Sequence, residues 1–110
     1  MTLAELKTAL EGVNNNAFKD KVAYRAFPIG GAPNLPFICF YEVDTNNFLA
    51  DSVVYKRITN VSIELYTVNK DTATESAIES MFATNKLVWE KSEYYIDDQN
   101  MLQVVYDTAI

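Results

Sequence analysis

An alternating stretch at residues 58–67 predicts the central strand of this chain. An extended backbone sends successive side chains to opposite faces, so the stretch separates into two sets. One face carries Thr59, Val61, Ile63 and Leu65, and the other carries Asn60, Ser62 and Glu64. We expect Val61, Ile63 and Leu65 to point into a core beneath helices. The polar face should meet solvent or a partner.

Two helices are indicated by capping residues followed by apolar residues at helical spacing. Residues Thr2 to Glu5 fit a capping box, and Gly12 is a plausible stop for the first helix. Asp71 or Thr72 caps the second helix, for which Thr72 to Glu75 offers another capping box. The apolar positions are Leu3, Leu6 and Leu10 in the first helix, and Ala73, Ala77, Ile78, Met81 and Phe82 in the second.

The remaining strands are predicted at residues 21–27, 37–43, 87–96 and 101–106. A loop at residues 28–36 holds three prolines and two glycines and separates the first two of these strands. The apolar run at 37–43 suggests burial on both faces, and residues 97–100 form a polar turn. The order is α-β-β-β-α-β-β. We expect a single α+β domain over residues 1–110, with a mostly antiparallel sheet and both helices on one face.

Residues 44–56 are the hardest to assign, because turn-forming residues precede a run of large apolar ones. A long loop with this much apolar surface is often functional. We therefore predict contacts between subunits or with another protein, anchored by Phe48, Leu49, Val53 and Tyr55. The 28–36 loop joins this predicted interface through Ile29 and Leu35. The competing interpretation is that residues 44–56 fold back and complete the chain's own core as an edge strand.

Composition argues against several functional classes. The net charge is −6 and the basic residues are scattered, which disfavours binding to nucleic acid or to an anionic membrane. The chain has no histidine, and its one cysteine, Cys39, lies in an apolar run. We therefore expect no catalytic residue, no cofactor and no metal. Asp97 and Asp98 fit a hairpin turn, while Glu75 and Glu79 fit a solvated helix face. No signal peptide or membrane span is apparent, so a cytoplasmic protein is expected.

Three segments, in this order, resemble the tail-completion or tail-terminator proteins of long-tailed phages and Gram-positive prophages, which also join tail to head. The first is the segment FLADSVVYK, residues 48–56. The second is IELYT, residues 63–67, followed by an acidic helix. The third is YYIDD, residues 94–98, with the closing strand LQVVY at residues 102–106.

The resemblance implies an α+β subunit of a ring, a hexamer in the family, that caps the tail tube and docks on the head connector. Its partners would be further copies of itself, the tail tube protein and the head-connector protein. DNA would pass through the channel without sequence-specific binding, and an acidic subunit would let it slide. The protein would lie in the host cytoplasm during assembly and in the virion tail afterwards. The family implies no catalytic residues.

Two other classes remain open from the sequence. One is a small acidic cytoplasmic adaptor that binds another protein as a monomer or dimer. The other is a small enzyme that uses carboxylates. Native mass separates a ring from an adaptor, and metal-dependent thermal stability would favour an enzyme.

Overall fold

The structure is a computed structural model that describes residues 1–50 and 53–110, with side chains described for residues 1–47 and 57–110. Its elements are α1 Leu3–Asn16, β1 Val22–Tyr24, β2 Phe37–Ala50, β3 Val53–Thr67, α2 Thr72–Thr84, β4 Trp89–Ile96, a 3₁₀ turn Asp97–Gln99 and β5 Met101–Ala109. The predicted α+β class and the order α-β-β-β-α-β-β are confirmed.

The five strands form one sheet in the order β1-β2-β3-β5-β4. The β2–β3 and β4–β5 pairs are antiparallel, as expected for consecutive strands with short connections. Strands β3 and β5, which α2 and β4 separate along the chain, also pair antiparallel. The β1–β2 pair is parallel, against the expectation of antiparallel neighbours. The connection between them, residues 25–36, is long enough to carry the chain back to the starting end of the sheet. The second strand therefore runs in the same direction as the first.

The two helix starts differ in how closely they match prediction. The capping box of α1 is confirmed: the Glu5 N–H donates to Thr2 Oγ1 at 3.1 Å, and the Thr2 N–H donates to Glu5 Oε1 at 2.8 Å. Helical backbone angles end after Gly12, and Asn14 and Asn15 take left-handed conformations, φ 54° and 60°. Asparagine tolerates this region better than most residues.

Asp71, rather than Thr72, caps α2. Its Oδ1 accepts from the Thr74 N–H at 3.1 Å, and its Oδ2 accepts from Thr74 Oγ1 at 2.7 Å. These hydrogen bonds hold the pKa of Asp71 below its ordinary value.

We expect Asp71→Ala to lower the free energy of unfolding by about 1 kcal/mol, because two donors lose their acceptor. Thr72→Ala is the matched control and should stay within about 0.5 kcal/mol of wild type. Because folding lowers the pKa of Asp71, its contribution is present at neutral pH and is lost as the pH falls below about 4. Urea melts at pH 7 and pH 3 measure both effects. Equal losses in the two variants would contradict the assignment of Asp71 as the cap.

The core lies between one face of the sheet and both helices. Val61, Ile63 and Leu65 are at most 1% exposed, so the predicted inward face of β3 is confirmed. The core's other main members are Leu6, Leu10, Ile38, Phe40, Ile78, Phe82, Val104 and Tyr106.

Tyr94 and Tyr95 lie on opposite faces of the sheet, as alternation along a strand predicts. Both are nevertheless more than half exposed. Tyr95 is on the helix side of β4, opposite Leu102, but it lies at the far end of the strand from Trp89. The ring of Trp89 packs near Phe82 of α2, with centroids 6.2 Å apart. Helix α2 therefore covers the Trp89 end of this edge strand but not the end that carries Tyr95.

Candidate functional site

The β2–β3 hairpin extends well beyond the rest of the sheet. Strand β1 pairs with β2 only as far as Phe40, and β5 pairs with β3 only from Asn60 onwards. Residues 44–58, here called the arm, pair only within the β2–β3 hairpin in the described part of the chain, and none of them pairs with a third strand. The molecule accordingly measures 51 × 28 × 24 Å. An isolated two-stranded ribbon is marginally stable in water, so such an arm is suited to a partner.

The base of the arm is fixed by side chains from neighbouring strands. A bulge separates Glu42 from Asp44, and Val43 between them is 56% exposed. The Glu42 N–H donates to Tyr24 Oη at 3.1 Å, while Asn60 Nδ2 donates to Asp44 Oδ1 at 2.7 Å. These bonds hold the bulge, which sets the direction in which the arm leaves the sheet.

The arm contains four of the predicted interface residues. Phe48 and Leu49 are on the β2 side of the ribbon, and Val53 and Tyr55 are on the β3 side. Their side chains lie outside the described residues. The predicted loop is therefore corrected to a hairpin: the turn formers at 44–47 continue the ladder because Arg57, Ile58, Thr59 and Asn60 pair with them.

The other two predicted residues lie at the opposite end of β2. Ile29 is fully exposed at the corner of a turn in which the Gly31 N–H donates to Pro28 O at 2.8 Å. Gly30 supplies the positive φ, 75°, that this turn requires. Leu35 is half-buried and lies two residues before β2, near Thr67 and the start of α2. The structure thus gives the subunit two separate candidate surfaces and does not bring all six residues together.

The face of the sheet opposite the helices, here called the open face, carries a row of aromatic side chains that the sequence analysis did not assign to a site. Cross-strand register aligns Phe37, Tyr66, Gln103 and Tyr94 across four strands. The rings of Phe37 and Tyr66 are 5.1 Å apart, and Phe27 packs on Phe37 at 5.4 Å. The signal was present in the sequence, because Tyr66 alternates with the core residues of β3.

Polar groups on the open face bond mainly to one another. Glu64 accepts from Tyr66 Oη at 3.1 Å and from Gln103 Nε2 at 3.1 Å. Burial, followed by the neighbouring Glu64 carboxylate, raises the pKa of Tyr66 well above its ordinary value. The same two causes raise the pKa of the Cys39 thiol to about 11. Cys39 therefore stays protonated at neutral pH and is a poor nucleophile.

A cleft of about 390 Å³ opens at one end of this face, between the 25–36 connection and the turn that follows β4. Its lining combines apolar and aromatic side chains with a few polar ones, a composition typical of a binding site. The lining residues include Arg25, Phe27, Phe37, Cys39, Tyr66, Ile96, Asp98 and Met101.

On the helix side, the prediction that Glu75 and Glu79 form a solvated face of α2 is wrong. Glu75 is only 3% exposed, with the Nζ of Lys70 2.8 Å and that of Lys91 3.1 Å from its carboxylate. Glu79 accepts from Lys91 at 2.9 Å and from Tyr106 Oη at 2.7 Å. Glu75 and Glu79 are one helical turn apart in α2, and Lys91 of β4 pairs with both, a partner that spacing along α2 alone could not indicate.

This ion-pair cluster holds the Glu79 carboxylate in the charged form. Burial alone would raise the pKa of Glu79, but the hydrogen bonds from Lys91 and Tyr106 outweigh burial and hold that pKa below its ordinary value. The hydrogen bond to Glu79 raises the pKa of Lys91 in turn. A carboxylate paired in this way is a weak base and a poor proton donor at neutral pH, so the cluster suits structure better than acid–base catalysis.

Within residues 1–50 and 53–110, no group of three or more possible metal ligands is close enough to hold an ion. Over the same residues, no helix has the length and apolar character needed to cross a bilayer. No protein-family model matches the sequence, and no curated protein matches it.

Proposed function

We propose that this chain is a tail-completion protein of a phage or prophage, whose copies form a ring that caps the tail tube and joins it to the head connector. The observation that carries the proposal is the arm: two paired strands that leave the sheet and have no third strand beside them among the described residues. A ribbon of this kind gains stability when another molecule covers it.

A ring requires two different surfaces on each subunit, because a head-to-tail contact joins one patch to a distinct patch on the next copy. The arm and the open face meet this requirement, since they are distinct surfaces of one subunit. A net charge of −6 suits a channel through which DNA slides without binding. The resemblance of residues 48–56, 63–67 and 94–106 to tail-completion proteins supplies the proposed hexamer and its partners, the tail tube and head-connector proteins.

The test compares the wild type with a variant in which Asn-Gly replaces residues 46–58. This turn joins Thr45 to Thr59, which lie directly opposite each other, and it keeps the two hydrogen bonds between Thr59 and Ile110. We expect wild-type rings by negative-stain electron microscopy and a native mass several times that of one chain. The shortened variant should keep its circular dichroism and cooperative melting yet remain a single chain. The double substitution Phe48→Ser, Leu49→Ser should weaken assembly in the same way, while Val68→Ser, at an exposed site off the arm, should not.

A genetic experiment separates this function from that of an adaptor. Deleting the gene from the phage or prophage genome that encodes it should yield free heads and tails without a defined end. The wild-type gene should restore joined particles, and the shortened gene should not. Normal virions from the deletion would overturn the proposal. A protein that stays monomeric with purified tails would instead favour the acidic adaptor.

A further inference from the structure

The open face has the composition of an interface rather than of a solvated sheet surface. Uncovered faces of antiparallel sheets are usually polar, yet this one carries Phe37, Tyr66 and Tyr94 in a single row. Tyr94 is 55% exposed, and neither helix packs on this side in the described part of the chain. Tyrosine, phenylalanine and methionine are enriched where proteins meet, and Met101 lines the adjoining cleft.

We infer that the open face and its cleft receive the arm of a neighbouring copy of this chain. The inference rests on the proposed ring and names the surface by which one subunit holds the next. A subunit cannot place its own arm there, because the arm is the continuation of β2 and β3 and extends beyond the end of the sheet, where neither β1 nor β5 pairs with it. A second copy, however, brings an arm free to dock.

The dimensions of the two surfaces are compatible. The described β2 residues of the arm, 44–50, span about 20 Å at the usual rise of a β-strand. The aromatic row crosses from β2 to β4 through three strand spacings, about 14 Å. One arm is therefore long enough to lie over the whole row and reach the adjoining cleft of about 390 Å³.

Charge also favours the arm as the occupant. The open face carries Glu64, Glu90 and Asp107, which the cross-strand register places on neighbouring strands. Most segments of a chain with net charge −6 would be repelled by this face. The arm would be repelled less, because its two acidic residues, Asp44 and Asp51, are balanced by Lys56 and Arg57 and the remainder of the chain carries the entire −6. The Arg57 side chain is 65% exposed and lies 3.4 Å from Glu42 of the same hairpin.

Two adjacent tyrosines provide a matched test. Tyr94 and Tyr95 are 55% and 58% exposed, but they point to opposite faces of the sheet. Tyr94→Glu should raise the protein concentration needed for ring formation at least about tenfold, because it places a charge in the docking surface. Tyr95→Glu makes the same chemical change on the helix side and should leave assembly unchanged. Both variants should melt like the wild type at a protein concentration too low for any of the three to assemble. Equal effects on assembly would overturn the inference.

Disulfide trapping identifies the contact directly. In a Cys39→Ser background, which has no cysteine, Asn47→Cys marks the arm and Ser92→Cys marks the open face. Oxidising the double variant should give a ladder of linked copies, while each single-cysteine variant should stop at a dimer. The control pairs Asn47→Cys with Ser80→Cys on α2 and should give no ladder. If rings form but the Asn47→Cys, Ser92→Cys variant gives no ladder, the inference is overturned and the proposed function stands. The same holds if the Asn47→Cys, Ser80→Cys control gives an equally strong ladder. The absence of rings even with purified tails would count against both.

Discussion

Replacing Leu65 with alanine should lower the free energy of unfolding by about 2–5 kcal/mol, with little change in the slope of a urea melt. Leu65 is fully buried on β3, paired with Ile38 on one side and Val104 on the other. Both helices cover this layer, so the surrounding side chains have little freedom to close the cavity that alanine would leave.

Val68→Ala provides the matched comparison, because Val68 follows β3 directly and is 58% exposed. It removes part of an aliphatic side chain without opening a cavity and should stay within about 0.5 kcal/mol of wild type. A loss below about 1 kcal/mol for Leu65→Ala would mean that the helices do not close over this layer. Native mass should be measured at the same protein concentration, since assembly itself raises apparent stability.

The fold was largely predictable because its elements are specified by neighbours in the sequence. The alternation around Ile63 indicates a half-buried strand, and the Thr2–Glu5 capping box fixes the start of α1 within four residues. The parallel β1 was not predictable in this way. Its direction depends on the path of residues 25–36, and proline and glycine content indicates a loop without indicating where the loop leads.

The candidate site was predictable only in part, for a similar reason. The sequence singles out residues 44–56 as apolar and unusual, but local turn propensity at residues 44–47 suggested a loop. In the structure, Thr59 and Asn60 continue the ladder opposite them, so pairing overrides that propensity. The open face can be recognised only when the alternation in β3 is combined with the pairing of the strands. Tyr66 lies beside Phe37 and Gln103 only when β2, β3 and β5 are aligned.

The buried carboxylate of Glu75 gives the second large effect. Substituting both Lys70 and Lys91 with methionine should cost about 3–5 kcal/mol, because a buried charge would then lack a partner. Methionine matches each lysine side chain as far as Cε and lacks the terminal ammonium. It can still pack beside Trp89 and Tyr106, whose ring centroids lie 5.8 and 5.9 Å from the Lys91 ammonium. The loss of stability in this variant therefore measures the effect of the unpaired Glu75 charge rather than of lost packing.

Adding Glu75→Met to the two lysine substitutions should restore most of that stability, because an apolar side chain suits a site that is 3% exposed. Replacing a buried ion pair with apolar residues of similar size is often neutral or stabilising, whereas removing one partner is costly. Glu75→Met alone should be milder than the double lysine variant, since Lys70 keeps Glu93 at 2.7 Å and Lys91 keeps Glu79 at 2.9 Å. Urea melts of the four proteins close the thermodynamic cycle. A triple variant no more stable than the double would show that the lysines act through something other than the charge of Glu75.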